Sequence, residues 1–358
     1  MVTSGVHPWM FKNVLGLLLV WPVFWTVRGI GLLPRWLFWG ASTAATVAAV
    51  LIMPQVWSGV ERVELRAIPN SIPLGNLSLL LGAVGSVAWL FRRELSVPRW
   101  QLAWSALGLV AGIWVSIASG SRGGWLALPI MGWVYSLAQP RWQKRHRWGL
   151  VLGVMLLTGI AILVVPAMQQ RFIEGWQDIV RYHQHMHDWQ ADQILGSLDR
   201  RLEMWRLGAL AFAQAPWWGL GWTGFDALVQ TAIYQGQTHP EVMLNGTLWV
   251  HQHLHNEVMT TAARLGLVGL LALWWLWWGG WRWFSAGLAQ HDPHARAYSV
   301  TGLLVHSSII TFALTDSMFG LPIHTSLYAV LLGAAAGGLR YAERCRNQAA
   351  VCKRTMPA

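Results

Sequence analysis

Apolar runs separated by short polar stretches set the plan of this chain. They cover residues 14–27, 37–57, 77–91, 102–119, 125–137, 149–165, 265–284, 300–314 and 321–338. A helix needs about 20 apolar residues to cross a hydrocarbon core, and lipid leaves no partner for an unpaired peptide group. The pattern therefore predicts an all-α, polytopic integral membrane protein with about nine or ten transmembrane helices. One stretch, 166–250, breaks the rhythm. It is too polar to span, yet it carries apolar patches at 207–212 and in PWWGLGW (216–222). It predicts an extracytoplasmic cap of amphipathic helices lying on the membrane part. The expected division is 1–165, N-terminal transmembrane helices; 166–250, the amphipathic region; 251–340, C-terminal transmembrane helices; and 341–358, a basic cytoplasmic tail.

Charge fixes the sides. Arg92, Arg93 and Arg99 follow the third run, and PRWQKRHRW (140–148) follows the fifth. Such clusters stay in the cytoplasm. By alternation the connector 58–76, the turn at 121–124 and the stretch 166–250 face outward. Arg282 and HDPHARAY (291–298) mark a return to the cytoplasm, and RYAERCRNQ (340–348) keeps the tail there. The same alternation puts the N-terminus outside, where Lys12 is its one strong charge. The first run then reads as a hairpin or partial span, or the chain lacks an N-terminal helix. Pro22 interrupts that run and no small-residue cleavage site follows, so no cleavable signal peptide is expected.

Composition agrees. The 358 residues are 54% hydrophobic and 11% charged, against about 25% charged for a soluble domain. The formal charge of +11 sits in loop clusters, which argues for topology and membrane lipids and against nucleic acid. The 27 Trp suit interfacial belts, with some left for packing or for sugar faces. Cys345 and Cys352, both in the basic tail, have no metal-motif spacing, and a disulfide is not expected in a cytoplasmic tail.

Candidate chemistry collects on the outward side. HQHLHNEVM (251–259) puts three histidines, an asparagine and a glutamate at the mouth of an apolar run. Arg122 sits in SGSRGGW, Arg200 and Arg201 in LDRRLEMW, and Arg62 and Arg66 form a weaker fourth site. Guanidinium groups clamp phosphates through charge-assisted bonds, and a neutral imidazole accepts a hydroxyl proton near pH 7. These groups suit a phosphate-activated lipid donor and a hydroxyl acceptor. Plainer readings stand beside this one. Arg122 suits a topological anchor, Arg200 and Arg201 suit headgroup contacts, and His255 suits a hydrogen-bonded interfacial histidine. His251 and His255 are four apart, as in a zinc helix, but Gln252 stands where a metalloprotease helix has Glu. No metal or cofactor is expected. RYHQHMHDWQ (181–190) reads as a solvated amphipathic surface, with a metal or acceptor contact as the lesser alternative, and Asp316 in TDSMFG as a helix-end cap or a hydrogen-bonded polar residue. His306 and His324, inside spans, are the residues a transporter would need instead.

Three stretches, in this order, resemble the O-antigen ligase/polymerase superfamily of membrane glycosyltransferases. SGSRGGWLALPIMG resembles its S-x-S-R-G segment. RLEMWRLGALAFAQAPWWGLGWTGF resembles its R-x-x-x-W helix followed by P-x-x-G-x-G. HNEVMTTAARLGLVGLL resembles its H-N/S-x-x-L helix ending E-x-G-x-x-G. PNSIPLGNLSL (69–79) is similar to an earlier, looser segment. Met259 replaces the usual Leu, and Arg264 stands where the family has an acidic residue. The resemblance implies metal-independent transfer of a glycan from an undecaprenyl-diphosphate carrier to an acceptor hydroxyl, such as lipid A-core. The reaction would occur at the periplasmic face of the bacterial inner membrane. Repeat-unit polymerisation is the alternative within the family. Carried over, Arg122 and Arg201 would contact the diphosphate and His255 would be the general base. Asn256 would position that imidazole, and Arg200, Arg66 and Trp205 would contact substrate.

Overall fold

The computed structural model describes residues 14–66, 68, 70–139, 141–185, 196–239 and 253–355. Among these the chain is helical between its turns, apart from one isolated bridge between Leu65 and Ile68. Among the described residues six helices are long and apolar enough to cross a membrane: Pro34–Trp57, Ser71–Leu90, Arg99–Ala118, Lys144–Val164, Glu257–Leu288 and the Pro322–Gln348 part of the last helix. The protein is an all-α, multi-pass membrane protein. Further crossings expected from the sequence fall on shorter or less apolar elements: Gly16–Ile30, Ala127–Leu137 and Pro293–Ala313.

The helices are α1 (Val20–Ile30), α2 (Pro34–Trp57), α3 (Ser71–Leu90), α4 (Arg99–Ala118), the single turn α5 (Arg122–Trp125), α6 (Ala127–Leu137) and α7 (Lys144–Val164). After them come α8 (Pro166–His185), α9 (Ser197–Gln214), α10 (Gly221–Tyr234), α11 (Glu257–Leu288), α12 (Pro293–Ala313) and α13 (Pro322–Thr355). They fall into two compact units.

One unit takes Val14–Ile160, Trp278–Phe312 and Pro322–Ala358. Its centre is α3, buried almost throughout between α2 and α4, while α1 lies along α13. Lipid tails are as apolar as leucine, so membrane helices associate through close packing of small residues. A Cβ added at Gly108 would fall 2.7 Å from the Ser42 Cα, so the backbones of α4 and α2 run almost in contact. Asn70 starts α3 by accepting the Ile72 N–H at 2.9 Å, a cap that contributes about 1 kcal/mol. α7 leaves Leu152, Met155, Leu156, Leu157 and Leu163 exposed, the surface a lipid-facing span presents.

The other unit comprises, within the described residues, Ala161–Trp277 and Ala313–Leu321. Its core joins Met204, Leu207 and Ala211 of α9, Phe225, Val229 and Ala232 of α10, Ala263 of α11, and Leu254 just before α11. α8 is amphipathic. Phe172, Ile173, Trp176, Ile179 and Val180 recur at helical spacing and stay exposed, as on a helix lying in a lipid interface.

Candidate active site

The residues His253–Leu254–His255–Asn256 lead into α11, and each is held separately. Leu254 is fully buried in the core of its unit. Its N–H donates to Thr260 Oγ1 at 3.1 Å, and its carbonyl accepts from Trp205 Nε1 at 3.0 Å. Asn256 caps α11: its Oδ1 accepts the Met259 N–H at 3.0 Å, and its Nδ2 donates to the Leu314 carbonyl at 3.0 Å. Between these fixed residues His255 has φ 48°. This left-handed conformation is uncommon outside glycine and costs of order 1–3 kcal/mol. Flanking bonds hold it there, which is how a strained residue persists at a working site.

His255 Nδ1 lies 3.0 Å from Asp316 Oδ1. The histidine side chain is 21% exposed and the aspartate 1%. The carboxylate is thus buried behind a ring that reaches the surface. Asp316 Oδ1 also accepts the Ser317 N–H at 2.9 Å. The turn that carries Asp316 is clamped to the start of α11, because Glu257 Oε2 accepts the Phe319 N–H at 3.1 Å. The His253 ring meets that of His255 edge-on, with centroids 4.6 Å apart.

Arg200 and Arg201 stand in the first turn of α9, both half-buried. Carboxylates fix that turn. Leu198 N–H donates to Asp178 Oδ2 at 3.0 Å, Gly196 N–H to Asp199 Oδ2 at 3.0 Å, and Arg181 Nη1 to Asp199 Oδ2 at 3.1 Å. Burial pushes the Asp199 carboxyl above its ordinary value, against the lowering effect of the Gly196 N–H and Arg181. One turn on, Glu203 holds Arg206 at both oxygens, at 2.8 and 2.5 Å, and accepts the Tyr182 hydroxyl at 3.0 Å. Burial, with Glu203 alongside, raises the Tyr182 phenol to about 12. The hydrogen bonds to Glu203 raise Arg206 further. This ionic seam ties α8 to α9.

The PWWGLG turn closes on a break in α11. Gly266 has φ 61° and ψ −155° inside that helix, a region open essentially to glycine alone. The freed peptide groups are taken up by the turn. Leu220 N–H donates to the Ala263 carbonyl at 3.0 Å, Leu267 N–H to Pro216 at 2.8 Å and Val268 N–H to Trp217 at 3.2 Å. A Cβ at Gly266 would lie 2.5 Å from the Gly219 nitrogen. Trp217 and Trp218 stay 64% and 75% exposed beside this lock. Arg264 is buried with its guanidinium carbon 5.1 Å from the Trp222 ring and 5.4 Å from that of Phe225. The Asp226 and Glu257 carboxylates act on it.

His255, Asn256, Arg200, Arg201 and Trp205 therefore belong to one unit. Arg122 and Arg66 belong to the other. Arg122 is half-buried at the start of α5, and Arg66 is exposed in the connector before α3. The Arg122 turn is seated on α3: Ser121 Oγ donates to Asn76 Oδ1 at 2.7 Å, and a Cβ at Gly124 would lie 2.8 Å from that same oxygen. SGSRGG and IPLGN thus pack as one motif. Trp205 and Asn256 spend their polar groups on the chain itself, at Leu254 and at Met259 and Leu314. His251 and residues 186–190 of the second His-rich patch lie outside the described residues. The sequence suggests for Asp316 a cap or a hydrogen-bonded polar residue; the structure shows the second, with His255 as the partner that the sequence does not name. The available signal was an acidic residue at the mouth of an apolar run on the same expected side as His255.

Residues 107–274 match the model of the O-antigen ligase family. Over that stretch, just under half of its length, the chain is similar to the O-antigen ligase/polymerase superfamily. The matched stretch contains Arg122, Arg201, His255 and the Gly266 break, and ends before Asp316. A Haemophilus influenzae protein named only as uncharacterized is 20% identical over 250 residues, a match that covers 69% of this chain and 59% of that relative.

Proposed function

We propose that the protein is a ligase-type glycosyltransferase. It moves a glycan from an undecaprenyl-diphosphate carrier to an acceptor hydroxyl, lipid A-core being the kind of acceptor meant, at the outer face of the inner membrane. The observation that carries this reading is the buried Asp316 carboxylate at 3.0 Å from Nδ1 of a surface-reaching His255. Such a carboxylate holds Nδ1 protonated and leaves Nε2 to accept a proton.

The acceptor hydroxyl gives its proton to His255 Nε2 as its oxygen attacks the anomeric carbon. The bond from that carbon to the diphosphate oxygen breaks, and the undecaprenyl diphosphate leaves with the electron pair. Asp316 stabilises the imidazolium that forms. Arg201, with Arg200 beside it, binds the leaving diphosphate and stabilises its developing charge. Arg122 is assigned the same kind of contact on the strength of its motif, and Arg66 a weaker one. Asn256 and Trp205 act through the chain, fixing the His255 turn from either side. No step calls for a metal ion or cofactor.

Transfer is tested with purified protein in proteoliposomes, using undecaprenyl-diphosphate-linked glycan as donor and lipid A-core as acceptor, with EDTA present. Glycan appearing on lipid A-core supports the ligase reading. Glycan extended on the carrier itself makes the protein a repeat-unit polymerase. No transfer to any acceptor would overturn the assignment.

A further inference from the structure

The pairing of His253 with His255 has no part in the chemistry above. We propose that His253, His255 and Asp316 bind a transition-metal dication of the zinc class, and that the bound ion inhibits transfer by occupying the catalytic imidazole.

The three residues form the one group of its kind among the described residues, each offering a ligand atom within 4.8 Å of the others. Two imidazoles and a carboxylate are the donor set that suits Zn²⁺ and its neighbours, and that suits Mg²⁺ or Ca²⁺ poorly. Bonds of about 2.0–2.1 Å bring such ligands a little closer together than this, a change within reach of a ring rotation. The backbone holds the rings on the same side. Leu254 is fixed at both its N–H and its carbonyl and buried in the core, so its two neighbours face away from that core. The rings are already in edge contact at 4.6 Å. Asp316 is nearly fully buried, and its Oδ1 is steadied by the Ser317 N–H. Metal ligands oriented by fixed backbone and outer hydrogen bonds bind more tightly than mobile ones. Three protein ligands leave a fourth position for water, as in an open site. The ion and the acceptor proton compete for the same imidazole, so binding and catalysis exclude each other.

The inhibitory half rests on the assignment of His255 as base, whereas the binding half does not. Both are read on untagged full-length protein. Co²⁺ is titrated first, followed by its visible absorption, because tetrahedral nitrogen and oxygen ligation gives distinct bands. Zn²⁺ then competes for the site. One equivalent should bind to the wild type, and His253→Ala should weaken binding by at least about a hundredfold, the upper end of the loss usual for an outer-shell ligand partner. His253→Gln, which keeps the size of the side chain, should behave alike. In the transfer assay Zn²⁺ should abolish wild-type activity and EDTA restore it, while His253→Ala transfers normally and resists Zn²⁺. Absence of stoichiometric Co²⁺ binding would overturn the site. So would binding unchanged in both variants, which would place the ion elsewhere. Binding at the site without inhibition would overturn the regulatory half, and binding to a protein that shows no transfer at all would leave the site standing and the transferase reading lost.

Discussion

In the proposed mechanism His255 is the base, and its environment gives graded expectations. Removing a positioned base costs roughly 10²–10⁴-fold in rate, so His255→Ala should lower kcat by that factor. Asp316→Asn keeps the shape of the side chain but removes its charge. It should lower kcat while leaving donor KM nearly unchanged, because it acts on the ring and not on the diphosphate. Arg201→Ala should instead affect donor KM and kcat together. Steady-state transfer kinetics separate the three. Asp199 offers a test that needs no substrate. Its carboxyl is raised by burial, so the folded chain keeps the proton to higher pH than the unfolded chain. That group then contributes a stability that falls as pH rises from the ordinary value of 3.8 through its folded value. Asp199→Asn should remove this slope, which thermal unfolding in detergent across that window would show as a smaller pH-dependence than wild type. Most residues of the proposed site were legible in the sequence, since polar groups at the ends of apolar runs stand out. Asp316 was not, because its partner lies 61 positions away and no local pattern announces such a pair.

Among the elements, the break in α11 explains why a glycine-rich turn and a glycine in a membrane helix occur in one chain. Residues 216–220 supply the hydrogen bonds that α11 loses at Gly266, which is how a broken helix survives where lipid offers no partner. Gly266→Ala would force a left-handed, glycine-only conformation on alanine and press its Cβ toward Gly219. The expected loss is roughly 1–3 kcal/mol, read as a lower melting temperature of the detergent-solubilised protein. Gly279→Ala is the control. It sits in the same helix with nothing within 4 Å of an added Cβ, so it should be neutral or stabilising by up to about 1 kcal/mol. Hydropathy alone located the run at 265–284, while the HNEVM motif pointed to a helix start near Asn256, and α11 begins at Glu257. Asn256 as cap, Glu257 on the Phe319 N–H, and Arg264 on aromatic rings absorb the polarity of HNEVMTTAAR.

For the whole molecule, the alternation of apolar and polar stretches was enough to predict an all-α membrane protein, because length and hydrophobicity decide that outcome almost alone. The stretch after 165 read as too polar to span, and α8, α9 and α10 lie within its described residues. What periodicity could not give was which helix ends share a unit. The Asp316 turn joins the unit of α8 to α10 although it lies between α12 and α13 in the chain. The central proposal is transfer of a glycan by this chain with His255 as base. The most direct test is the single-turnover rate of transfer from undecaprenyl-diphosphate-linked glycan in proteoliposomes, wild type against His255→Ala at equal, folded protein. The wild type should form product, and the variant should do so at a rate lower by at least about a hundredfold. Equal rates for the two would contradict the proposal.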